Sequence, residues 1–144
     1  MLEQKGLLFS LSHYHLCCPA EDVNEIILLN KDRVREVPGV KSLFRGLFIN
    51  RGQILPLLNL RHLFQMGEDE QDIIPVGVME LEQNLLFGLT IAAQTEIIEF
   101  NELLIEPFER GPRGINPRFF KGYISAYGKM IFIMALDGFK SYFL

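Results

Sequence analysis

The 144-residue chain contains no apolar run of about 18 residues, the length a membrane-spanning helix needs, so none is expected. Its start, Met1-Leu2-Glu3-Gln4-Lys5-Gly6, has no long apolar stretch leading to a small-residue cleavage site, so secretion is not expected. Cysteine is scarce. Cys17 and Cys18 are neighbours and cannot form an ordinary structural bridge with each other. A reducing cytoplasm is the simplest setting for such a chain. Positive charge is also short: the net charge of −4 argues against nucleic acid as a partner, because phosphate neutralisation needs concentrated Lys and Arg. Catalytic signatures are absent too. No Gly-x-Ser-x-Gly elbow occurs, nor Gly-x-x-x-x-Gly-Lys-Ser/Thr, nor Gly-x-Gly-x-x-Gly. Nothing in the residues favours an enzyme.

What the chain does have is a globular composition, 49% hydrophobic and 22% charged, and an internal duplication. Phe44-Arg45-Gly46-Leu47-Phe48 returns as Phe120-Lys121-Gly122-Tyr123-Ile124. The same offset continues without a gap through Gly52/Gly128, Leu55/Ile131, Leu57/Ile133 and Leu60/Leu136. Two further echoes precede it in the same order. Leu7 to Ser12 matches Leu85 to Thr90, and Glu25 to Asn30 matches Glu96 to Asn101. Two copies are too few for a solenoid. They predict two similar lobes with a seam between them, and seams of this kind are common binding sites.

Local patterns read as many short strands with turn punctuation, hence an all-β barrel or sandwich. A strand is expected over 7–12, a helical turn or bend at Pro19 to Asp22, and a mostly buried strand from Val23 to Leu29. Pro38-Gly39 signals a turn. Apolar runs on either side of Asn50-Arg51-Gly52-Gln53 predict a hairpin, with Pro56 on an edge or at a bulge because it cannot donate to a ladder. Asn59 to Phe64 reads as a short helical turn. The acidic stretch 67–72 reads as the linker, giving lobe 1 over about 19–66 and lobe 2 over about 73–144, with strand 7–12 packing where the lobes meet. Lobe 2 is expected to hold hairpins over 74–91 and 122–136, a strand over 97–100 and an exposed loop over 109–117.

His13-Tyr14-His15-Leu16-Cys17-Cys18 is the most reactive-looking segment, since zinc favours His and Cys. No second ligand pair follows at suitable spacing, so an incidental polar loop or strand end stands beside a metal- or ligand-binding reading. Gly46 and Gly122, being common to both copies, read first as structural, allowing a bulge or a close approach. Features that differ between the copies are better functional candidates. Arg51 stands opposite Tyr127, and at a hairpin tip its planar fork suits a partner's carboxylate or carbonyl oxygens.

The run Phe44 to Arg61 resembles the signature of CheW-like chemotaxis coupling domains, roughly F-[IV]-[KR]-G-x-x-N-L-R-G-x-I-x-P-[VI]-x-D-L-R. Leu85 to Ile98 and Phe120 to Leu136 resemble the later segments of the same domain, so the likeness covers about residues 7–143. The resemblance implies two five-stranded SH3-like barrels packed side by side, with short helical turns and no cofactor. It also implies a non-enzymatic, cytoplasmic adaptor, without membrane insertion, that joins chemoreceptor cytoplasmic tips to the regulatory domain of a histidine kinase. Carried over by position, the receptor-facing residues are Val23, Glu25, Gly46 and Arg51. The kinase-facing surface falls on the first lobe. The chain departs from the pattern at Ile49-Asn50, where Asn-Leu is usual, at Asn59 in place of Asp, and at Ala92-Ala93 in place of Val-Asp. A metal- or ligand-binding regulatory module of the same fold, without receptor coupling, is the alternative.

Overall fold

A computed structural model describes residues 3–38, 43–66, 71–82, 84–108 and 116–142. Gly39 of the expected turn, most of the acidic linker and most of the loop over 109–117 lie outside these residues. The strands are β1 (Glu3–Leu11), β2 (Tyr14–Pro19), β3 (Val23–Asn30), β4 (Phe44–Asn50), β5 (Gln53–Leu58), β6 (Ile73–Glu80), β7 (Leu86–Thr90), β8 (Thr95–Asn101), β9 (Phe120–Ala126) and β10 (Lys129–Met134). The α-helix α1 (Leu60–Leu63) realises the turn expected after Asn59, whose side chain accepts from the Arg61 N–H at its start. A 3-10 turn over Ala20–Asp22 realises the one expected after Pro19.

The strands form two five-stranded sheets, in the orders β8-β1-β2-β10-β9 and β3-β6-β7-β5-β4. Position by position the two orders correspond, which is the duplication written in three dimensions. β3 and β8, β4 and β9, and β5 and β10 hold matching places, as their sequence echoes predict. The third echo misleads. β1 corresponds to β6, whereas β7 takes the place of β2, because β7 pairs parallel with β5 (Leu57 with Gly88) as β2 does with β10 (Ile133 with Cys17). An apolar alternation suits any core strand, so it does not distinguish neighbours.

The expected lobe boundary is corrected by the same pairing. One compact unit spans 24–93, and the other combines 1–23 with 94–144. β6 and β7 join the sheet of β4 and β5 instead of opening a second lobe, and β1 lies inside its sheet between β8 and β2. The units are called central and terminal below, after their places in the sequence.

Each sheet curls toward closure by one device. In the central unit, β3 forms one edge and runs through a 3-10 turn (Lys31–Arg33) into Arg35, which exchanges backbone hydrogen bonds of 2.8 Å with Leu47 on the opposite edge strand. The terminal unit repeats it: β8, a 3-10 turn (Glu102–Leu104), then Glu106 exchanging 2.8 Å bonds with Tyr123 of β9. Asn30 and Asn101 start the two turns, accepting from the N–H groups of Asp32 and Leu103. So few residues between opposite edges leave the sheet no option but a barrel-like curl.

The shared glycines serve this closure. A Cβ on Gly46 would run into the carbonyl oxygen of Arg35, and one on Gly122 into that of Glu106. Both sit where the strand pairing shifts register, between Phe44 and Gly46 and opposite the step from Ile133 to Met134. Inside the central unit, Leu29, Phe48, Leu55, Leu57, Ile74, Val76 and Val78 form the core. In the terminal unit Ile124, Ile131 and Ile133 occupy the places of Phe48, Leu55 and Leu57, joined by Leu8, Cys17, Ile98 and Phe100.

Two local expectations need correction. β3 is an edge strand exposing Asn24, Ile26 and Leu28, so only its alternate residues turn inward and it is not mostly buried. Pro56 is on neither an edge nor the bulge: it lies in β5, between β7 and β4. Its partner Leu47 directs its own N–H and C=O to Arg35, and the ladder to β7 begins only at Leu57. A missing N–H therefore costs no sheet hydrogen bond at this point.

Candidate partner-docking site

Strand alternation places Val23, Glu25, Ile27 and Leu29 on one face of β3, and Gly46, Phe48 and Asn50 on one face of β4. Ile27, Leu29 and Phe48 belong to the core, so Glu25 and Asn50 stand at the rim where these inward faces end. The β4–β5 turn then projects Arg51. Arg51 and Gly52 carry φ of 51° and 78°, both positive as in a type I′ turn, which matches the strand twist with a two-residue connection.

These elements bring Glu25, Asn50 and Arg51 together. Arg51 grips the Glu25 carboxylate side-on. Its Nε donates to Oε1 and Oε2 at 3.1 Å each, and its Nη2 donates to Oε2 at 2.8 Å. Asn50 Nδ2 donates to Oε1 at 2.7 Å. Hydrogen bonds from Arg51 and then Asn50 pull the Glu25 carboxyl down to about 2, and the same contact raises the Arg51 guanidinium. Glu25 is mostly shielded (22% exposed) while Arg51 is 79% exposed, so the carboxylate acts as the seat and the guanidinium as the presented group.

The terminal unit shows what is particular to this arrangement. Tyr127 has the tip position with φ 54° and also reaches its neighbouring strand, its hydroxyl donating to the Glu99 carbonyl at 2.7 Å. Both tips are thus anchored to the matching strand, but only the central unit places an exposed cation there. Of the residues carried over by resemblance, Glu25 and Arg51 are in direct contact. Val23 shares the Glu25 face one pleat away. Gly46 is buried at the bulge, where the Arg35 carbonyl accounts for its lack of a side chain.

Sequence reasoning missed two features. Asn50 stood only as a departure from the pattern, although its place on the Phe48 face of β4 follows from alternation. The opposite face of the hairpin was missed as well. There Ile49 and Ile54 are directly paired and 71% and 68% exposed. With Leu47 and the rim residues Asp32, Arg33 and Arg35 they line a shallow cavity of about 370 Å³. Two large apolar side chains held side by side in water are a mark of an interaction surface.

The segment His13 to Cys18 does not form a ligand set. Cys17 and Cys18 are fully buried, and as successive strand residues they point to opposite faces. Burial pushes the Cys17 thiol up to about 12 and the Cys18 thiol higher still, so both are thiols and not thiolate ligands. Cys17 belongs to the core, and Cys18 Sγ lies 3.6 Å from the Met134 sulfur. His15 Nδ1 is 2.8 Å from Ser10 Oγ, and His13 Nδ1 is 3.3 Å from Ser12 Oγ. Among the described residues no group of three or more His, Cys, Asp or Glu side chains is placed to hold a metal ion. No helix among them is long and apolar enough to cross a membrane.

Comparisons with known proteins agree with this architecture. A comparison with curated proteins finds no match. Among solved structures, the crystal structure of the scaffolding protein TtCheW from Thermoanaerobacter tengcongensis is similar, with a TM-score of 0.79 at 25% sequence identity. The likeness covers 94% of this chain and 86% of that one. The family model described as the CheW-like domain matches residues 5–141, nearly the whole chain, and the chain therefore belongs to the CheW-like domain family.

Proposed function

We propose that this chain is a non-enzymatic cytoplasmic scaffold that couples chemoreceptor cytoplasmic tips to the regulatory domain of a histidine kinase. The observation that carries the reading is the Glu25–Arg51 pair: an exposed guanidinium held rigidly at a hairpin tip, at positions the family resemblance assigns to the receptor. Val23, Glu25, Gly46 and Arg51 form the receptor-facing set. Arg51 meets acceptor oxygens on the receptor, Glu25 holds it in place, Val23 supplies apolar contact, and Gly46 keeps β4 close to the Arg35 backbone. A rigid cation at a rim contributes orientation and specificity more than raw affinity. The Leu47–Ile49–Ile54 face is the kinase-facing surface, with Arg33 and Arg35 at its edge selecting a partner that carries acidic groups beside an apolar patch. Holding both partners raises each one's effective concentration for the other, which is how a scaffold without catalytic groups controls a kinase.

The test is binding of the purified chain to a chemosensory kinase regulatory domain and, separately, to a receptor-tip fragment. Arg51→Ala is expected to weaken the receptor leg by about tenfold and leave the kinase leg unchanged. Ile54→Glu is expected to do the reverse by about as much, since it buries a charge in an apolar contact. Binding to the kinase domain alone would make the chain a competitor within the same fold family. Full receptor affinity in the Arg51 variant would remove the tip from the mechanism.

A further inference from the structure

We propose that Asn50 is a positioning residue of the docking site: its side-chain amide clamps the Glu25 carboxylate so that Arg51 presents its remaining N–H groups, Nη1 foremost, to an acceptor oxygen on the partner. The proposal rests on the assignment of Arg51 to receptor docking.

The geometry is asymmetric in a useful way. Three donated bonds tie Nε and Nη2 of Arg51 to Glu25, and Nη1 makes no hydrogen bond among the described residues. A guanidinium is a rigid plane, so fixing Nε and Nη2 fixes the direction in which Nη1 points. That direction is only as well defined as the carboxylate it leans on. Glu25 has rotatable bonds of its own and sits on β3, at the opposite edge of the sheet from β4, whose last residue, immediately before the turn, is Asn50. Its 2.7 Å bond to Oε1 is the shortest of the cluster and ties the carboxylate to the same hairpin that carries Arg51. Carboxylate and guanidinium are thereby referred to one rigid element. The matching position in the terminal unit is Ala126, and there the tip residue is anchored to a backbone carbonyl instead. The amide donor thus occurs only where a side-chain carboxylate must be held.

Two variants separate donation from shape. Asn50→Ala removes the amide, and Asn50→Asp keeps its outline but replaces the donor with an acceptor facing Glu25. In the isolated protein, followed by NMR, both are expected to raise the Glu25 titration midpoint and speed hydrogen exchange at Arg51 Nε, the Asp variant more strongly. Both are also expected to weaken binding of a receptor-tip fragment by about threefold to tenfold, with kinase-domain binding unchanged. Unaltered Glu25 and Arg51 signals in both variants would overturn the proposal without reference to any partner. If the signals move but receptor binding holds, while Arg51→Ala still weakens it, Asn50 is structural only and the docking assignment stands. If Arg51→Ala also leaves receptor binding intact, the assignment fails and the positioning role falls with it.

Discussion

Gly46 and Gly122 show how one missing atom organises a unit. Each lies under the carbonyl of the segment that closes its sheet, Arg35 in one case and Glu106 in the other, and a methyl group cannot fit between them. Gly46→Ala or Gly122→Ala is expected to cost about 1–3 kcal/mol, the usual penalty for overpacking a site that cannot give. The midpoint of urea unfolding measures it; an unshifted midpoint in either variant would mean that the close approach relaxes freely. Cys17 and Cys18 teach the opposite lesson. The reactive-looking pair is packing material, because successive strand positions turn one thiol to each face and burial keeps both protonated. Residue type had suggested chemistry, and position within a strand removed it.

The β4–β5 hairpin is the element on which the proposed function turns. Its two-residue turn sets Arg51 at the tip, its inner face delivers Asn50 to Glu25, and its outer face pairs Ile49 with Ile54 in the open. The tie between this hairpin and β3 should be visible in acid. Glu25 titrates at about 2 in the folded protein and near 4.3 in the unfolded chain. Its folded value is depressed, so the stability it contributes is present above about pH 4.3 and is lost as pH falls through about 2. Glu25→Gln is expected to be less stable than the parent at neutral pH, with the gap closing across that window. A gap that is independent of pH would show that the carboxylate's charge does not tie β3 to the hairpin. The turn with Arg51 at its tip was legible in the sequence, whereas the alternation of β3 was not, because its run of Ile and Leu reads as mostly buried. The Glu25–Asn50 contact was not legible either, because it joins residues on strands that are not neighbours in the sheet and meet only when the sheet curls.

The whole molecule is interleaved. The chain begins in the terminal unit, builds the central unit from residues 24–93, and returns to complete the first sheet with β8, β9 and β10. β1 and β2 occupy the middle of that sheet, with β1 pairing along β8 from Glu3 to Phe9 and β2 along β10 from His15 to Cys17. Deleting residues 3–19 is therefore expected to abolish amide-exchange protection in β8, β9 and β10 while the central unit keeps its own sheet. Protection surviving in β8–β10 would show that the later strands form a unit without the first two. This return path is also why the expected boundary near the acidic stretch was misplaced, since a linker-like composition marks a connection but not the unit to which the next strand belongs.

Local chemistry in the chain already specified an all-β protein with a duplicated hairpin of short apolar runs around a glycine-containing turn, and an arginine at its tip, but not which face of the hairpin is buried. These follow from short-range rules, namely the short apolar run of a strand and the glycine that permits a tight turn. Tertiary structure alone decided which sheet took β6 and β7, why Pro56 is tolerated inside one, and that Glu25, Asn50 and Arg51 form a single cluster. The reason is that a short apolar run encodes a strand but not which neighbour covers it. Neighbours are chosen when parallel pairing and edge closure bring distant segments into one curled sheet.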